Sequence, residues 1–318
     1  MASQPGTWTE ADIPDQTGRT VLVTGANSGL GLRTAQVLAE KGATVLLACR
    51  SAERGVRALD TVAERARARP VLISLDLADL ASVRDAAATV REQTGDTLDV
   101  LVNNAGVMAP PKGVTKDGFE TQFGTNYLGP AALTWLLMPA LRRGRDPRVV
   151  TVSSAAATGS SLDLDDPNFE RRRYNPATAY RQSKLADQVF AAELDRRLRA
   201  AHDPVLSIAA HPGYSRSELG STMARSRSHV VLRTVVDTTI RLGELLIAQN
   251  VHMGALPQLY AATAPGIRGG EYVGPRGPFG LRGHPAVGKP LPPARDRELG
   301  ARLWDLTAKL TGITPDPA

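Results

Sequence analysis

Short runs of aliphatic and β-branched residues alternate with longer Ala-rich stretches from Thr20 onward. Six of these runs are mainly apolar rather than alternating, which predicts strands buried on both faces, as in a parallel sheet covered by helices. Strands that alternate with helical stretches in this way predict βαβ units. The predicted strands are 20–24, 44–48, 71–75, 100–103, 148–153 and 205–210.

The stretches between the strands predict helices on the basis of their length and Ala-rich composition. One of them contains Gly129-Pro130, so we expect an irregularity inside that helix. The predicted helices are 31–41, 82–94, 119–143 and 176–201.

The C-terminal third has a weaker pattern. Residues 214–263 predict one or two amphipathic helices, and 265–293 is rich in Gly and Pro, which predicts a loop-dominated segment with one short strand at 271–273. The chain has no internal repeat and no linker long enough to separate two domains. We therefore expect one domain over 1–318, with a lid region at about 214–263 and a Gly/Pro-rich tail at 265–318.

Composition narrows the possible partners. The formal net charge is +6, but the Arg residues are scattered and form no basic block, so we expect a solvated surface and no nucleic-acid partner. Cys49 is the single cysteine, which excludes an internal disulfide and fits a reducing compartment. No secretory signal and no run of about 18 apolar residues is present, so we expect a cytoplasmic protein without integral membrane association.

The first predicted strand runs directly into the glycine-rich turn TGANSGLG, residues 24–31. Glycines at such a turn let backbone N–H groups approach a pyrophosphate, and the N-terminus of the following helix supplies partial positive charge. The spacing TGxxxGxG therefore favours a dinucleotide site. A tight β-to-α connection without a ligand is the alternative interpretation.

The end of the second strand bears on which dinucleotide is bound. An Asp or Glu at this place would bind the ribose 2′-hydroxyl of NAD, whereas this chain reads Ala48-Cys49-Arg50-Ser51. The guanidinium of Arg50 can form a bidentate pair with a 2′-phosphate. We therefore expect NADP(H) in preference to NAD(H), with a plain surface arginine as the alternative.

Tyr180 and Lys184 stand four residues apart in a predicted helix and so share one face. A neighbouring ammonium stabilises a phenolate, which makes the pair an acid/base group usable near neutral pH. Ser153 and Ser154 end the fifth strand, where a hydroxyl could bind a substrate carbonyl oxygen. An incidental surface pair and serines that only terminate a strand remain the alternatives.

Taken together, these motifs resemble the short-chain dehydrogenase/reductase family, in the family's order and over about residues 17–275. The phrases WTEADIPDQTGR, LLACRS and LDLDDPNFERRRY resemble its retinol-dehydrogenase-like and protochlorophyllide-reductase-like branch. The matching segments are TGANSGLG at 24–31, SLDLAD at 74–79, NNAG at 103–106, TNYLG at 125–129, VTVSS at 150–154, YRQSK at 180–184 and HPGYSRS at 211–217.

The resemblance implies an α/β fold of the Rossmann type, a doubly wound parallel sheet of about seven strands between two helix layers. It also implies a catalytic tetrad of Asn126, Ser154, Tyr180 and Lys184. In that scheme Tyr180 transfers the proton and Ser154 positions the carbonyl oxygen, while Ser153 is structural. Lys184 acidifies the phenol and binds the nicotinamide ribose, and Asn126 holds a water that connects Lys184 to solvent.

The same resemblance implies a nucleotide site. Asp76 matches the position that contacts the adenine amino group, and 103–106 matches the segment along the adenosine. The turn at 211–213 matches the one beside the nicotinamide, with Ser217 near the carboxamide and His211 as a packing residue. The implied cofactor-binding set is Gly25, Asn27, Ser28, Gly29, Leu30, Gly31, Arg50, Asp76, Leu77, Asn103, Ala105, Gly106, Tyr180, Lys184, Pro212, Gly213 and Ser217.

The expected reaction is hydride transfer between nicotinamide and a carbonyl or alcohol, with no metal. The apolar character of 214–263 predicts a small hydrophobic substrate under a lid, but it also fits a subunit interface or a membrane-contacting helix. The long loop between Ser154 and Tyr180 could narrow the substrate entrance or be a surface excursion. A homodimer or homotetramer is expected from the resemblance alone.

Two other functions are alternatives to an oxidoreductase. One is a non-catalytic NADP-sensing regulator, which would have no physical need for Ser154, Tyr180 and Lys184 together. The other is a nucleotide-sugar epimerase or dehydratase on a related fold. Its usual spacing TGxxGxxG differs from the turn at 24–31.

Overall fold

The computed structural model describes residues 7–213 and 250–317, which contain one eight-stranded sheet. Its strand order is β3-β2-β1-β4-β5-β6-β7-β8, with parallel pairing everywhere except between β7 and β8. The strands are β1 Thr20–Thr24, β2 Thr44–Cys49, β3 Val71–Ser74, β4 Val100–Asn103, β5 Arg148–Val152, β6 Leu206–Ala210, β7 Tyr272–Pro275 and β8 Pro285–Gly288.

Helices cover both faces of this sheet. Apolar residues of α1, α2 and α6 form the core on one face, and those of α3, α4, α5 and α7 form the core on the other. A π-helical segment, Phe123–Leu128, leads directly into α4. The helices are α1 Gly29–Glu40, α2 Ala52–Ala63, α3 Leu80–Gln93, α4 Gly129–Leu141, α5 Pro176–Ala200, α6 Val251–Thr263 and α7 Arg297–Thr311.

Strand β1 shows why the runs of apolar residues lack alternation. Val21 and Val23 pack into one core, whereas Leu22 between them packs into the other. Successive side chains of a strand point to opposite faces, so a strand covered on both faces needs an apolar residue at every position. The predicted three-layer, doubly wound fold of the Rossmann type is confirmed, and all six predicted strands are present.

The sheet has one strand more than expected. The segment 265–293, predicted to be mainly loop, contains β8, which pairs antiparallel with β7. The short strand expected at 271–273 is β7, Tyr272–Pro275. The Gly/Pro-rich tail also contains the 15-residue helix α7, which buries Trp304. Helix α2 was not predicted either, because few of its residues are buried and their side chains are small.

The helix predicted over 119–143 is irregular where Gly129-Pro130 indicated. The π-helical segment ends at this point, and a Cβ on Gly129 would lie 2.4 Å from the carbonyl oxygen of Leu77. Pro130 has no N–H to donate, so the regular α-helical ladder begins only beyond it. This irregular backbone carries Asn126.

Helix α6 occupies the end of the predicted lid region, and residues 214–249 lie outside the described residues. Within 7–213 and 250–317, no helix has the combined length and apolar character that crossing a bilayer requires.

Candidate active site

The turn between β1 and α1 requires glycine at several positions. Gly25 and Gly29 have φ values of +66° and +55°, a region that other residues rarely adopt. A Cβ on Gly31 would lie 2.4 Å from the carbonyl oxygen of Gly25. The N-cap Ser28 makes no side-chain cap, so the first N–H groups of α1 remain available to an anion at the helix N-terminus.

The segment after β4 is tied to this turn. The Thr24 hydroxyl accepts hydrogen bonds from the backbone N–H groups of Asn104 and Ala105, both at 3.0 Å. The Asn104 amide donates in return to the Thr24 carbonyl oxygen at 2.9 Å. Gln258 of α6 lies 3.3 Å from the Asn104 amide oxygen and also reaches the carbonyl oxygen of Leu30. Residues 103–106 and the glycine turn therefore form one structural unit.

The remaining residues on the nucleotide side follow the ends of β2, β3 and β4. Arg50 is exposed and has no hydrogen-bond or ion-pair partner among the residues that the structure describes. The Asp76 carboxylate accepts from the N–H of Ala78 at 3.0 Å, and Leu77 is buried. Asn103 donates to Thr134, but its buried amide oxygen has no partner within the described ranges. All of these residues lie along the carboxyl edge of the sheet.

Tyr180 and Lys184 are both buried on α5, which begins at Pro176 behind its N-cap Asn175. The Lys184 ammonium donates to the carbonyl oxygen of Val152 and to the Asp187 carboxylate, each at 2.8 Å. Burial lowers the pKa of Lys184, but attraction to Asp187 and to the oxygen of Tyr180 outweighs this effect and leaves the pKa raised. Lys184 therefore remains an ammonium at neutral pH.

Asn126 connects the π-helical segment to the loop after β4. Its amide oxygen accepts from the N–H of Val107 at 2.7 Å, and its amide nitrogen donates to the Val107 carbonyl oxygen at 3.0 Å. The same nitrogen lies 2.9 Å from the hydroxyl of Ser183, which itself donates to the carbonyl oxygen of Tyr180. A Cβ on Gly106 would contact both the Asn126 amide and the Lys184 ammonium. These contacts bring Asn126, Lys184 and the backbone of Tyr180 together.

The two serines after β5 have different environments. Ser153 is buried and donates to the carbonyl oxygen of Lys184 at 2.6 Å, so it joins β5 to α5. Ser154 is partly exposed, and its hydroxyl oxygen accepts from the N–H of Ala156 at 3.1 Å. Because Ser154 acts as an acceptor in that bond, its own proton remains available for another oxygen.

The turn after β6 is packed against the β7–β8 hairpin. His211 is buried and stacks on Tyr272 at a centroid distance of 4.9 Å, and burial lowers its pKa to about 4. Gly213 has a φ of +69°, and a Cβ on it would lie 2.4 Å from the carbonyl oxygen of Leu281. Pro212 lies between these residues, and Ser217 lies outside the described residues.

The loop between Ser154 and Tyr180 is held by its own polar groups. The Asp166 carboxylate accepts from three consecutive backbone N–H groups, those of residues 170–172. Arg172 lies over the ring of Phe169 and donates to the amide oxygen of Gln182 on α5 at 2.6 Å. These contacts anchor the loop to α5, and they fit both a narrowed substrate entrance and a surface excursion.

Two residues of this site were missed by the sequence analysis. Asp187 follows Lys184 by three residues, a helical spacing that could have identified it as an ion-pair partner. Gln258 is 154 positions from Asn104, so no local pattern could have indicated their contact.

Comparisons with known proteins identify the family of this chain. A family model described as short chain dehydrogenase matches residues 19–227. Human retinol dehydrogenase 13 is 38% identical over 313 residues, covering 96% of this chain and 87% of its own. Mouse polyprenol dehydrogenase is 42% identical over 307 residues, covering 94% and 86%.

A solved structure of an uncharacterized protein from Mycobacterium paratuberculosis is also similar. It is 43% identical with a TM-score of 0.78, and the match covers 96% of this chain and 98% of that one. The retinol dehydrogenases among the relatives confirm the retinol-dehydrogenase-like resemblance. The chain belongs to the short-chain dehydrogenase family of oxidoreductases.

Proposed function

We propose that this oxidoreductase uses NADP(H) to interconvert a carbonyl and an alcohol on a hydrophobic substrate, with Tyr180 as the group that transfers the proton. The observation that carries the proposal is the buried Lys184 ammonium, fixed by Val152 and Asp187 one helical turn from Tyr180. A buried cation at this position stabilises a phenolate. A protein that only sensed a nucleotide would have no use for this arrangement.

The glycine turn and the uncapped N-terminus of α1 fit a dinucleotide pyrophosphate. When bound, the nicotinamide ring supplies or accepts the hydride. In the proposal, the turn at residues 24–31 holds the phosphates, and Asp76 with the segment 103–106 lines the adenosine. Pro212, Gly213 and Ser217 are assigned to the nicotinamide side.

The chain's own residues handle the proton and the substrate oxygen. Tyr180 donates its phenolic proton to the carbonyl oxygen during reduction and accepts the proton during oxidation. Ser154 donates a hydrogen bond to the same oxygen and so stabilises the charge that develops on it. Lys184 has three N–H donors, and two of them bind Val152 and Asp187. The third is assigned to the ribose hydroxyls, and Asn126 is assigned the water that links Lys184 to solvent.

The preference for NADP(H) rests on Arg50. Its side chain is exposed directly after β2, and the neighbouring residues Cys49 and Ser51 bring no carboxylate that would repel a 2′-phosphate. A guanidinium without a partner among the described residues can pair with that phosphate in a bidentate manner.

A hydrophobic substrate is supported by the names of two relatives, a retinol dehydrogenase and a polyprenol dehydrogenase. Both names refer to alcohols with long apolar chains. Of the predicted lid region 214–263, the part up to residue 249 is assigned to a lid over such a chain, within a single domain that spans 1–318. The remainder is corrected, because α6 packs into the core on one face of the sheet.

The test measures NADPH and NADH oxidation with apolar aldehydes and ketones, and the reverse reaction with retinol and a polyprenol. Tyr180→Phe should retain NADPH binding but lose about 10³-fold in kcat, because proton transfer is removed. Tyr260→Phe is the matched control, since Tyr260 lies on α6 and its ring packs against Trp8. Equal rates for wild type and Tyr180→Phe would refute the proposed mechanism.

A further inference from the structure

We propose that Asp187 is a positioning residue that fixes the Lys184 ammonium and, by its negative charge, offsets part of the field that this ammonium exerts on the Tyr180 phenol, which favours carbonyl reduction over alcohol oxidation. The inference rests on the proposed function, because it assigns a direction to the same proton-transfer group. Asp187 itself contacts neither substrate nor cofactor in this scheme and acts through Lys184.

The geometry of the pair is fixed. Asp187 lies three residues after Lys184 on α5, and its Oδ2 is 2.8 Å from the lysine Nζ. The side chains are only 2% and 6% exposed, respectively, so water does not screen their attraction. Together with the bond to the Val152 carbonyl oxygen, the carboxylate determines where the remaining N–H of Lys184 points.

The surroundings leave Asp187 with few other partners. Among the described residues, the ionisable groups that interact with it are Lys184 and the phenol of Tyr127 on the π-helical segment. Tyr127 is fully buried and bonds the hydroxyl of Thr307 on α7; burial raises its pKa, and the Asp187 charge adds to this. Strand β5 contributes the uncharged carbonyl oxygen of Val152. Lys184 is therefore the cation that balances Asp187 in this part of the protein.

The charge of Asp187 has a definite effect on the phenol. Tyr180, Lys184 and Asp187 occupy positions i, i+4 and i+7 of one helix, so they share a face. An isolated ammonium would stabilise the phenolate strongly, but a carboxylate beside it cancels part of that field. Reduction needs the protonated phenol and oxidation needs the phenolate. The carboxylate therefore favours the reductive direction.

The buried carboxylate also retains a proton more readily than usual. Burial raises the pKa of Asp187 to about 6, although the Lys184 ammonium opposes the shift. At neutral pH it is still ionised, so the counter-charge is present where the enzyme works. A neutral replacement of Asp187 therefore removes a charge that is present at neutral pH.

The decisive variant is Asp187→Asn, which keeps an oxygen acceptor for Lys184 but removes the charge. We expect the acid limb of the oxidation rate to move to lower pH by about one unit, which is a roughly tenfold higher phenolate fraction at a given pH above about 7, where Asp187 of the wild type is ionised. The alkaline limb of reduction should move in the same direction. KM should change less than kcat, because no substrate contact is lost.

A second readout needs no turnover. The near-ultraviolet absorbance of the phenolate, taken as the difference between a protein and its Tyr180→Phe counterpart, should titrate at lower pH in Asp187→Asn than in wild type. Asp187→Glu retains the charge and should restore the wild-type titration. Asp195→Asn is the matched control, since Asp195 is a buried carboxylate of the same helix that pairs with Arg199 instead.

The outcomes are distinguishable. An unchanged phenolate titration in folded Asp187→Asn, or an equal shift in Asp195→Asn, overturns the inference about Asp187. If Asp187→Asn does not fold, Asp187→Ser is measured in the same way, with the same criterion. A wild-type protein that shows the predicted titration but turns over no carbonyl or alcohol contradicts the proposed function instead.

Discussion

The two ends of the central strands use buried polar groups in different ways. At the amino ends, the Asp99 carboxylate accepts from the N–H of Thr20 at 2.6 Å and from that of Arg145. Arg148 donates to the carbonyl oxygens of Ala261 and Ala264. At the carboxyl ends, the third N–H of the buried Lys184 and the proton of the partly exposed Ser154 have no acceptor within 7–213 and 250–317.

The buried polar groups at the amino ends therefore contribute mainly to stability, whereas those at the carboxyl ends are available for binding and reaction. A buried charge that is bonded to main-chain groups joins distant segments of the fold, and it is costly to remove because it leaves those groups unpaired. Burial and the neighbouring Arg148 lower the pKa of Arg19, which shows how closely charges are packed at the amino ends. At the carboxyl ends, we expect substitutions to change binding and rate more than folding.

The largest expected effect breaks the amino-end network. Arg148→Met should destabilise the protein by about 3 kcal/mol, because two buried carbonyl oxygens lose their donor. Chemical denaturation measures the loss, and kcat of the folded protein should be unchanged. The exposed Arg143→Met provides the control, with an expected cost of less than about 1 kcal/mol. A reduced kcat in folded Arg148→Met would contradict the division between stability at the amino ends and chemistry at the carboxyl ends.

The next effect is at the glycine turn. In Gly31→Ala the added Cβ would lie 2.4 Å from the carbonyl oxygen of Gly25, so the phosphate-binding backbone has to shift. We expect NADPH affinity to fall by about 100-fold, a cost of the size that overpacking produces. Fluorescence titration gives the Kd. Gly288→Ala is the control, because its φ is not positive and its Cβ would meet only the carbonyl oxygen of Tyr272 at 3.6 Å; its Kd should be unchanged, and similar losses in both variants would argue against a specific role for the turn.

A smaller effect tests cofactor choice. Arg50→Gln removes the guanidinium without removing any hydrogen bond that the structure shows for it. The Kd for NADPH should rise about tenfold, as expected for the loss of one charge-assisted pair, while the Kd for NADH stays constant. Equal changes for both cofactors would show that Arg50 does not read the 2′-phosphate. The melting temperature should not change.

The smallest effect concerns His211, a structural residue at the functional end of the strands. Its folded pKa of about 4 lies below the unfolded value, so the unfolded state takes up the proton first. The contribution of the neutral His211 to the free energy of unfolding is therefore fully present above pH 6.5. This contribution should fall by about 1 kcal/mol between pH 6.5 and 5.5.

The His211→Asn variant should not lose this contribution to the free energy of unfolding, which is measured by chemical denaturation at pH 6.5 and at pH 5.5. Asp187, whose pKa is raised to about 6, contributes the opposite slope to both proteins, so the difference between them isolates the histidine. An identical pH dependence in the two proteins would show that the imidazole does not remain neutral.

The sequence alone predicted the sheet well, because the central strands must be apolar on both faces, as Val21, Leu22 and Val23 are. The glycine turn was also predictable, since its spacing is local. Strand β8 was missed because its Pro and Gly residues read as loop and its pairing with β7 is tertiary. The amino-end network joins residues 46 or more positions apart, such as Asp99 and Arg145, so spacing could not reveal it.

The edge strands of the sheet affect how two molecules of the protein can associate. Both outer strands, β3 and β8, are only four residues long, and proline stands immediately before the first and at the start of the second. A proline offers no N–H to an incoming backbone, and so short a ladder gives little template for one. Intermolecular strand addition is thus disfavoured at either border, which protects a sheet rich in aliphatic residues from edge-to-edge aggregation.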